Sequence, residues 1–281
     1  MKNKQFLIVG LGLLGGSYAM GLKKRGCHID AIDINQDSLD YALANGLIDQ
    51  GSIHDDESLI QKADVIILGL YPNDVVNWIR KNQAYFKSNT IITDVTGVKR
   101  IIIYDIQELL RSDCEFIGAH PMAGKEVSGV RFADPNIFLP ANLIITPTSK
   151  NTQKAIDFME EFGIVLRFNN ICLLSPEKHD EMIGYLSQLT HVIAVSLMNA
   201  NENEHLKEYT GDSFRDLTRI AKINENLWSE LFLANKDILI KEIELFVNEI
   251  NNFKQRLIDE DVDGMKEKFI NSTKRRTTFD K

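Results

Sequence analysis

The sequence predicts an α/β protein: a Rossmann-type doubly wound, mostly parallel sheet with a C-terminal all-helical dimerisation domain. Three observations carry this. Short, continuous Ile/Val/Leu runs alternate with amphipathic stretches over the first two-thirds of the 281-residue chain. A glycine-rich turn, Gly10-Leu11-Gly12-Leu13-Leu14-Gly15, follows the first run at once and opens a helix. After Asn169 the grammar changes and strand-like runs stop.

Continuous apolar runs of about five residues are what strands covered on both faces require. In order, Gln5–Gly10, His28–Asp33, Val65–Leu70, Thr90–Asp94, Glu115–Ala119, Leu143–Thr146 and Val165–Phe168 are predicted strands. Leu14–Arg25, Ser38–Asn45, Asp74–Phe86, Val98–Arg111 and Thr152–Glu161 carry helical spacing between them. Such alternation with short loops specifies a doubly wound sheet. Ser175-Pro176-Glu177 is a helix start with Pro at its first position. The helix it opens is expected to run unbroken to Asn199, with Leu186, Leu189, Ile193 and Leu197 on one stripe. Further helices are predicted at Phe214–Ala221, Asn226–Asn252 and Val262–Lys274. The expected domains are therefore 1–171, dinucleotide-binding, and 172–281, helical. The second has more apolar helix surface than about 110 residues bury alone, so a homodimer is expected.

Apolar residues make up 44% and charged residues 26%, which excludes disordered and collagen-like classes. A net charge of -8 provides no chain-wide footprint for nucleic acid. Anionic small molecules stay open, since a few placed cations outweigh the global sign locally. Cys27, Cys114 and Cys172 are too dispersed for a disulfide framework or a zinc knuckle, so no metal is expected and a reducing compartment fits. Basic Met1–Lys4 before apolar Phe6–Leu22 superficially resembles a secretory signal. The glycines punctuate that run at intervals better explained by a ligand, and no membrane partner is expected. The expected location is cytoplasmic.

In the glycine turn, Gly10 permits the tight turn, Gly12 lets backbone approach a pyrophosphate, and Gly15 lets the helix pack against the sheet. The helix N-terminus then faces the phosphates. Asp33, about 20 residues on, can accept both ribose hydroxyls and would repel a 2′-phosphate. NAD is thus the expected cofactor, bordered by Gly10, Gly12, Leu13, Leu14, Gly15, Asp33, Leu70 and Asp94. His120 sits between a strand end and Pro121 in a glycine-rich loop, where an imidazole can take a proton at neutral pH. His191 shares a helix face with Gly184, Ser187 and Gln188, facing either solvent or a cleft. Arg215 and Arg219, at i and i+4, can converge on one carboxylate; the alternative is a surface ion pair with Asp212 or Asp216. His179-Asp180 is read as local capping and solvation.

At these residues the sequence resembles the prephenate dehydrogenase family, within the 6-phosphogluconate-dehydrogenase-like superfamily. The resemblance covers nearly the whole chain. It rests on the Gly10–Ser17 turn, the loop His120-Pro-Met-Ala-Gly-Lys-Glu-Val-Ser-Gly129, Ser187-Gln-Leu-Thr-His191, and Ser213-Phe-Arg-Asp-Leu-Thr-Arg-Ile-Ala221 with Trp228 beyond. It implies NAD-dependent oxidative decarboxylation of prephenate to 4-hydroxyphenylpyruvate in tyrosine biosynthesis, with arogenate as the near alternative substrate. It also implies His120 as base or hydrogen-bond acceptor, Arg219 as carboxylate binder, His191 as a polar wall and Trp228 packed beneath the site. Arg215 stands where the family usually has Lys, Gln188 where His is common, and Lys125 where Thr is seen. Lys125 is expected to lower the His120 pKa. Gly97 replaces a frequent Ser, and Thr96 is the candidate to supply that hydroxyl. Glu126 is the one loop candidate to meet an arogenate ammonium. No regulatory ACT domain is expected. Another superfamily dehydrogenase or reductase, or an NAD sensor without turnover, would be the other classes.

Overall fold

The structure, a computed structural model, describes Met1 and residues 3–279. Its first part alternates β1 (Gln5–Val9), α1 (Leu13–Lys23), β2 (His28–Ile32), α2 (Gln36–Ala44), β3 (Gln50–Ser52), α3 (Glu57–Lys62), β4 (Val65–Leu68), α4 (Pro72–Asn82), β5 (Ile91–Asp94), α5 (Arg100–Leu109) and β6 (Glu115–Phe116). The six strands form one parallel sheet in the order β3-β2-β1-β4-β5-β6. Successive strands depart in opposite directions from β1, and the crevice between β1 and β4 is where such sheets bind ligands. The two-residue period of β1 serves both faces. Phe6 and Ile8 enter one apolar core, Leu7 and Val9 the other.

The chain leaves this sheet at Ile117. β7 (Gly118–Pro121), β8 (Asn142–Thr146) and β9 (Asn170–Leu173) make a second sheet, with β7 antiparallel and β9 parallel to β8. The single predicted strand Glu115–Ala119 is thus two strands in two sheets. The predicted strand Val165–Phe168 is not a strand. α6 (Gln153–Val165) runs through its start, and Arg167 then turns the chain with φ +66°. Phe158, Met159, Phe162 and Leu166 are buried at helical spacing, and the Ile164-Val165-Leu166 run only imitates a strand. β3 and α3 escaped prediction because neither carries a continuous apolar run.

The helical part begins with α7 (Pro176–Ile183), widens into a π turn (Gly184–Leu189) and continues as α8 (Thr190–Asn199). α9 (Leu206–Tyr209), α10 (Asp212–Thr218), a 3-10 turn (Arg219–Ala221), α11 (Glu225–Ala234), α12 (Lys236–Ile258) and α13 (Val262–Arg276) follow. The predicted helix Asn226–Asn252 is therefore interrupted at Asn235. By packing, the chain divides into the units Met1–Asn235 and Lys236–Lys281. The change of grammar near residue 172 falls inside the first. Among the described residues no helix is long and apolar enough to cross a membrane.

Candidate active site

The turn between β1 and α1 is built by close backbone approach. Gly10 has φ +92°, and a Cβ on it would lie 2.5 Å from the Gly69 carbonyl oxygen. A Cβ on Gly15 would lie 2.0 Å from the Gly10 carbonyl oxygen, so only glycine lets α1 pack here. Gly12 differs: nothing stands within 4 Å of its Cβ position. It caps α1, whose first turn has no side-chain cap and no acidic residue, leaving N–H groups for an anion. Asp33 follows β2 and accepts hydrogen bonds from the Leu11 N–H (2.5 Å) and the Asn35 N–H (2.8 Å). It is thereby fixed beside the turn. Open space outside Gly12, an uncapped helix end and an anchored carboxylate fit a dinucleotide.

Leu13, Leu14, Gly15, Leu70 and the loop His120–Gly129 line one cleft of about 770 Å³, with Gln188, His191, Arg219, Lys222 and Trp228 opposite. β7 delivers His120 to it. The His120 Nδ1 lies 2.9 Å from His179 Nε2, and His179 Nδ1 lies 2.7 Å from Asp180 Oδ1. Asp180 also accepts the Lys99 N–H (2.8 Å) and the Arg100 N–H (2.9 Å) at the start of α5. A carboxylate so supplied with donors holds the His179 Nδ1–H. His179 Nε2 must then accept from His120 Nδ1–H, leaving the His120 Nε2 lone pair for the cleft. His179 and Asp180 are fully buried, so the expectation of capping and solvation for this pair is corrected. Burial, then the neighbouring His179, then the charge of Lys99 push the His120 pKa well below its ordinary value. Lys99, and not the expected Lys125, is the cation that matters.

Lys99 is fully buried; its Nζ donates to Asp94 Oδ2 (2.5 Å) and to the Ala119 carbonyl (2.7 Å) beside His120. Asp94 further accepts the N–H and the hydroxyl of Thr96 and the Ala119 N–H. Two expectations change here. Asp94 is 1% exposed and organises the loop rather than bordering a cofactor. The Thr96 hydroxyl is turned into this buried network, toward Asp94 and the Val98 carbonyl, and does not replace a hydroxyl at Gly97.

His191 donates Nδ1–H to the Ser187 carbonyl (2.8 Å), and its ring lies on Trp228 with centroids 3.7 Å apart. Burial lowers its pKa, and Arg219 adds to the effect. Gln188 does not offer its amide to the cleft. The Nε2 donates to the Leu231 carbonyl (3.0 Å) and Oε1 accepts from Asn235 Nδ2 (2.8 Å). Arg219, 64% exposed, is ion-paired with Glu126. Arg215 instead pairs with Asp212 (2.7 Å) and lies outside the cleft lining, because α10 ends at Thr218 and the 3-10 turn carries Arg219 off the shared face. Lys125 lines the cleft and pairs with Asp134 at 3.5 Å.

Residues 18–166 match the family model "Prephenate dehydrogenase, nucleotide-binding domain", and residues 175–271 match "Prephenate dehydrogenase, dimerization domain". The chain belongs to the prephenate dehydrogenase family. It is 31% identical to a prephenate dehydrogenase of Bacillus subtilis, over 92% of this chain and 71% of that one. It is 29% identical to a cyclohexadienyl dehydrogenase of Zymomonas mobilis, over 97% and 95% of the two chains. A solved structure titled as prephenate dehydrogenase from A. aeolicus with hydroxyphenyl propionate and NAD+ superposes with a TM-score of 0.90 at 29% identity, covering 99% of both chains. This prephenate dehydrogenase family member is an NAD-dependent oxidoreductase, and its reaction is the oxidative decarboxylation of prephenate. Lys99, His179 and Asp180, packed around His120, are residues whose place beside it sequence reasoning missed. His179 and Asp180 lie in the first turn after Pro176, where polar residues ordinarily cap a helix, and nothing local marks a lysine after Val98 as buried.

Proposed function

We propose that His120 is the general base of this reaction and that the His179–Asp180 pair sets its tautomer. The 2.9 Å contact between His120 and His179 carries the reading. NAD+ bound along the Gly12 turn supplies the hydride acceptor, with Asp33 meeting the adenosine ribose. His120 Nε2 takes the proton of the ring hydroxyl as the carbon beneath it is oxidised. It returns that proton to the oxygen when the bond to the departing CO2 breaks and its electrons make the ring aromatic. An imidazole that is neutral at rest suits the first transfer, and the imidazolium it becomes suits the second. Arg219 turns from Glu126 to one carboxylate of the substrate by charge-assisted hydrogen bonds. Lys125 and Lys222, both on the cleft, serve the other. Trp228 backs the wall through His191.

We further read 1–171 as the dinucleotide-binding domain and 172–281 as the helical domain through which two copies pair, in the cytoplasm, apart from membranes and nucleic acid. The two domain-model matches, 18–166 and 175–271, support that division.

The test is NADH formation from prephenate and from arogenate, with His120→Asn beside the parent. Because the His120 pKa is depressed, kcat/KM for prephenate is expected to hold level down to pH 6.5 and to fall only as acid protonates the base below that. An acid limb above pH 6.5, or a fully active His120→Asn, removes His120 from the role.

A further inference from the structure

We propose that Asn235 is a positioning residue for the base, acting through Gln188 and Asp180 where α7 widens into the π turn. The proposal rests on the reading of His120 above. Asn235 separates α11 from α12 and is fully buried. Its Nδ2 donates to the Asp180 carbonyl (3.0 Å) and to Gln188 Oε1 (2.8 Å), and Gln188 Nε2 donates in turn to the Leu231 carbonyl. The orientation of both amides is forced. The Asp180 and Leu231 carbonyls can only accept, so each must face an NH2 group, and the remaining donor–acceptor pair then matches.

The π turn explains why this stitch is needed. The Gly184 N–H is shared between the Asp180 and Glu181 carbonyls, so the widened rod is short of donors at the residue that fixes His179. Asn235 supplies one and ties α7 to α11. Its own Oδ1 is buried with no hydrogen-bond partner among the described residues. A side chain that only filled space would avoid that penalty by being apolar. The direction in which the NH2 group points accounts for the amide. The titratable groups around His120 are His179 and Asp180 from α7, Lys99 from the start of α5 and Asp94 from the end of β5; none is changed in the test below.

Asn235→Ala and Gln188→Met, singly and combined in the full chain, are assayed for kcat, KM and the acid limb of kcat/KM, with thermal unfolding as a check on folding and His120→Asn as reference. Each single variant is expected to lower kcat about tenfold with KM for prephenate within about twofold, and the double variant to fall no further, since the two amides act as one unit. The acid limb is expected to move to higher pH as the base loosens toward water. Unchanged kcat and acid limb in a folded variant overturn the proposal. So does a kcat loss that multiplies in the double variant while the acid limb stays put, which would make the amides mere scaffold. If Asn235→Ala does not fold, Gln188→Met, which keeps side-chain volume, decides by the same two readouts. Turnover by His120→Asn would instead sink the reading of the base, and the proposal with it.

Discussion

On the His120 side of the cleft the ionisable neighbours are buried and held by several partners each: His179, Asp180 and Lys99 are 0% exposed, and Asp180 alone takes three donors. Toward the mouth of the cleft Arg219, Lys125 and Glu126 are all more than a third exposed and held by single ion pairs. One wall is fixed before any ligand arrives, whereas the other can exchange its partners for those of a ligand. Proton transfer needs a set tautomer and a dry acceptor, and capture of a charged substrate needs cations that can turn.

Asp180→Asn should break the fixed wall most severely. An amide at this position can present its NH2 to His179 and reverse the tautomer chain, so kcat is expected to lose most of the roughly 10²–10⁴-fold that a general base contributes. A pre-steady-state measurement showing an intact hydride step would refute this. Lys99→Met leaves Asp94 buried without its cation, at a cost of about 3–5 kcal/mol. Calorimetry should show a melting temperature lower by about 10 °C, and an unchanged value would mean that Asp94 finds other partners. The mobile wall should respond in KM instead. Arg219→Ala is expected to raise KM for prephenate at least tenfold with kcat within a few-fold, as loss of a charge-assisted hydrogen bond requires; an equal loss in kcat would move Arg219 to the fixed wall. Glu126→Gln should do least. An exposed ion pair is worth about 0–1 kcal/mol, so freeing Arg219 should lower KM by no more than about fivefold, and a larger change at low salt would reveal a stronger pair.

The same contrast governs what could be read from the sequence. The glycine turn was legible because its demands are local: a positive φ at Gly10 and a missing Cβ at Gly15 are satisfied within a few residues. His120 and Arg219 were legible through the loop and helix segments that carry the resemblance. The relay was not, since His120 meets His179 across 59 positions and Lys99 meets Asp180 across 81. Neither partner bears a mark of burial in its own neighbourhood. Arg215 misled for a related reason. Spacing of four implies a shared face only while the helix lasts, and α10 ends one residue too early.

His179 and His191 stand twelve positions apart on what looks like one rod. In a regular α-helix, at about 100° per residue, twelve steps leave them about 120° out of phase. The π turn between them, Gly184–Leu189, winds less per residue and takes back part of that offset. It behaves as an extra residue lodged in the helix, a phase correction that brings two histidines of unequal promise onto one working side. Removing any single residue from Gly184–Leu189 would restore an ordinary helix and rotate α7 against α8, so that the two histidines would part company with neither of them altered.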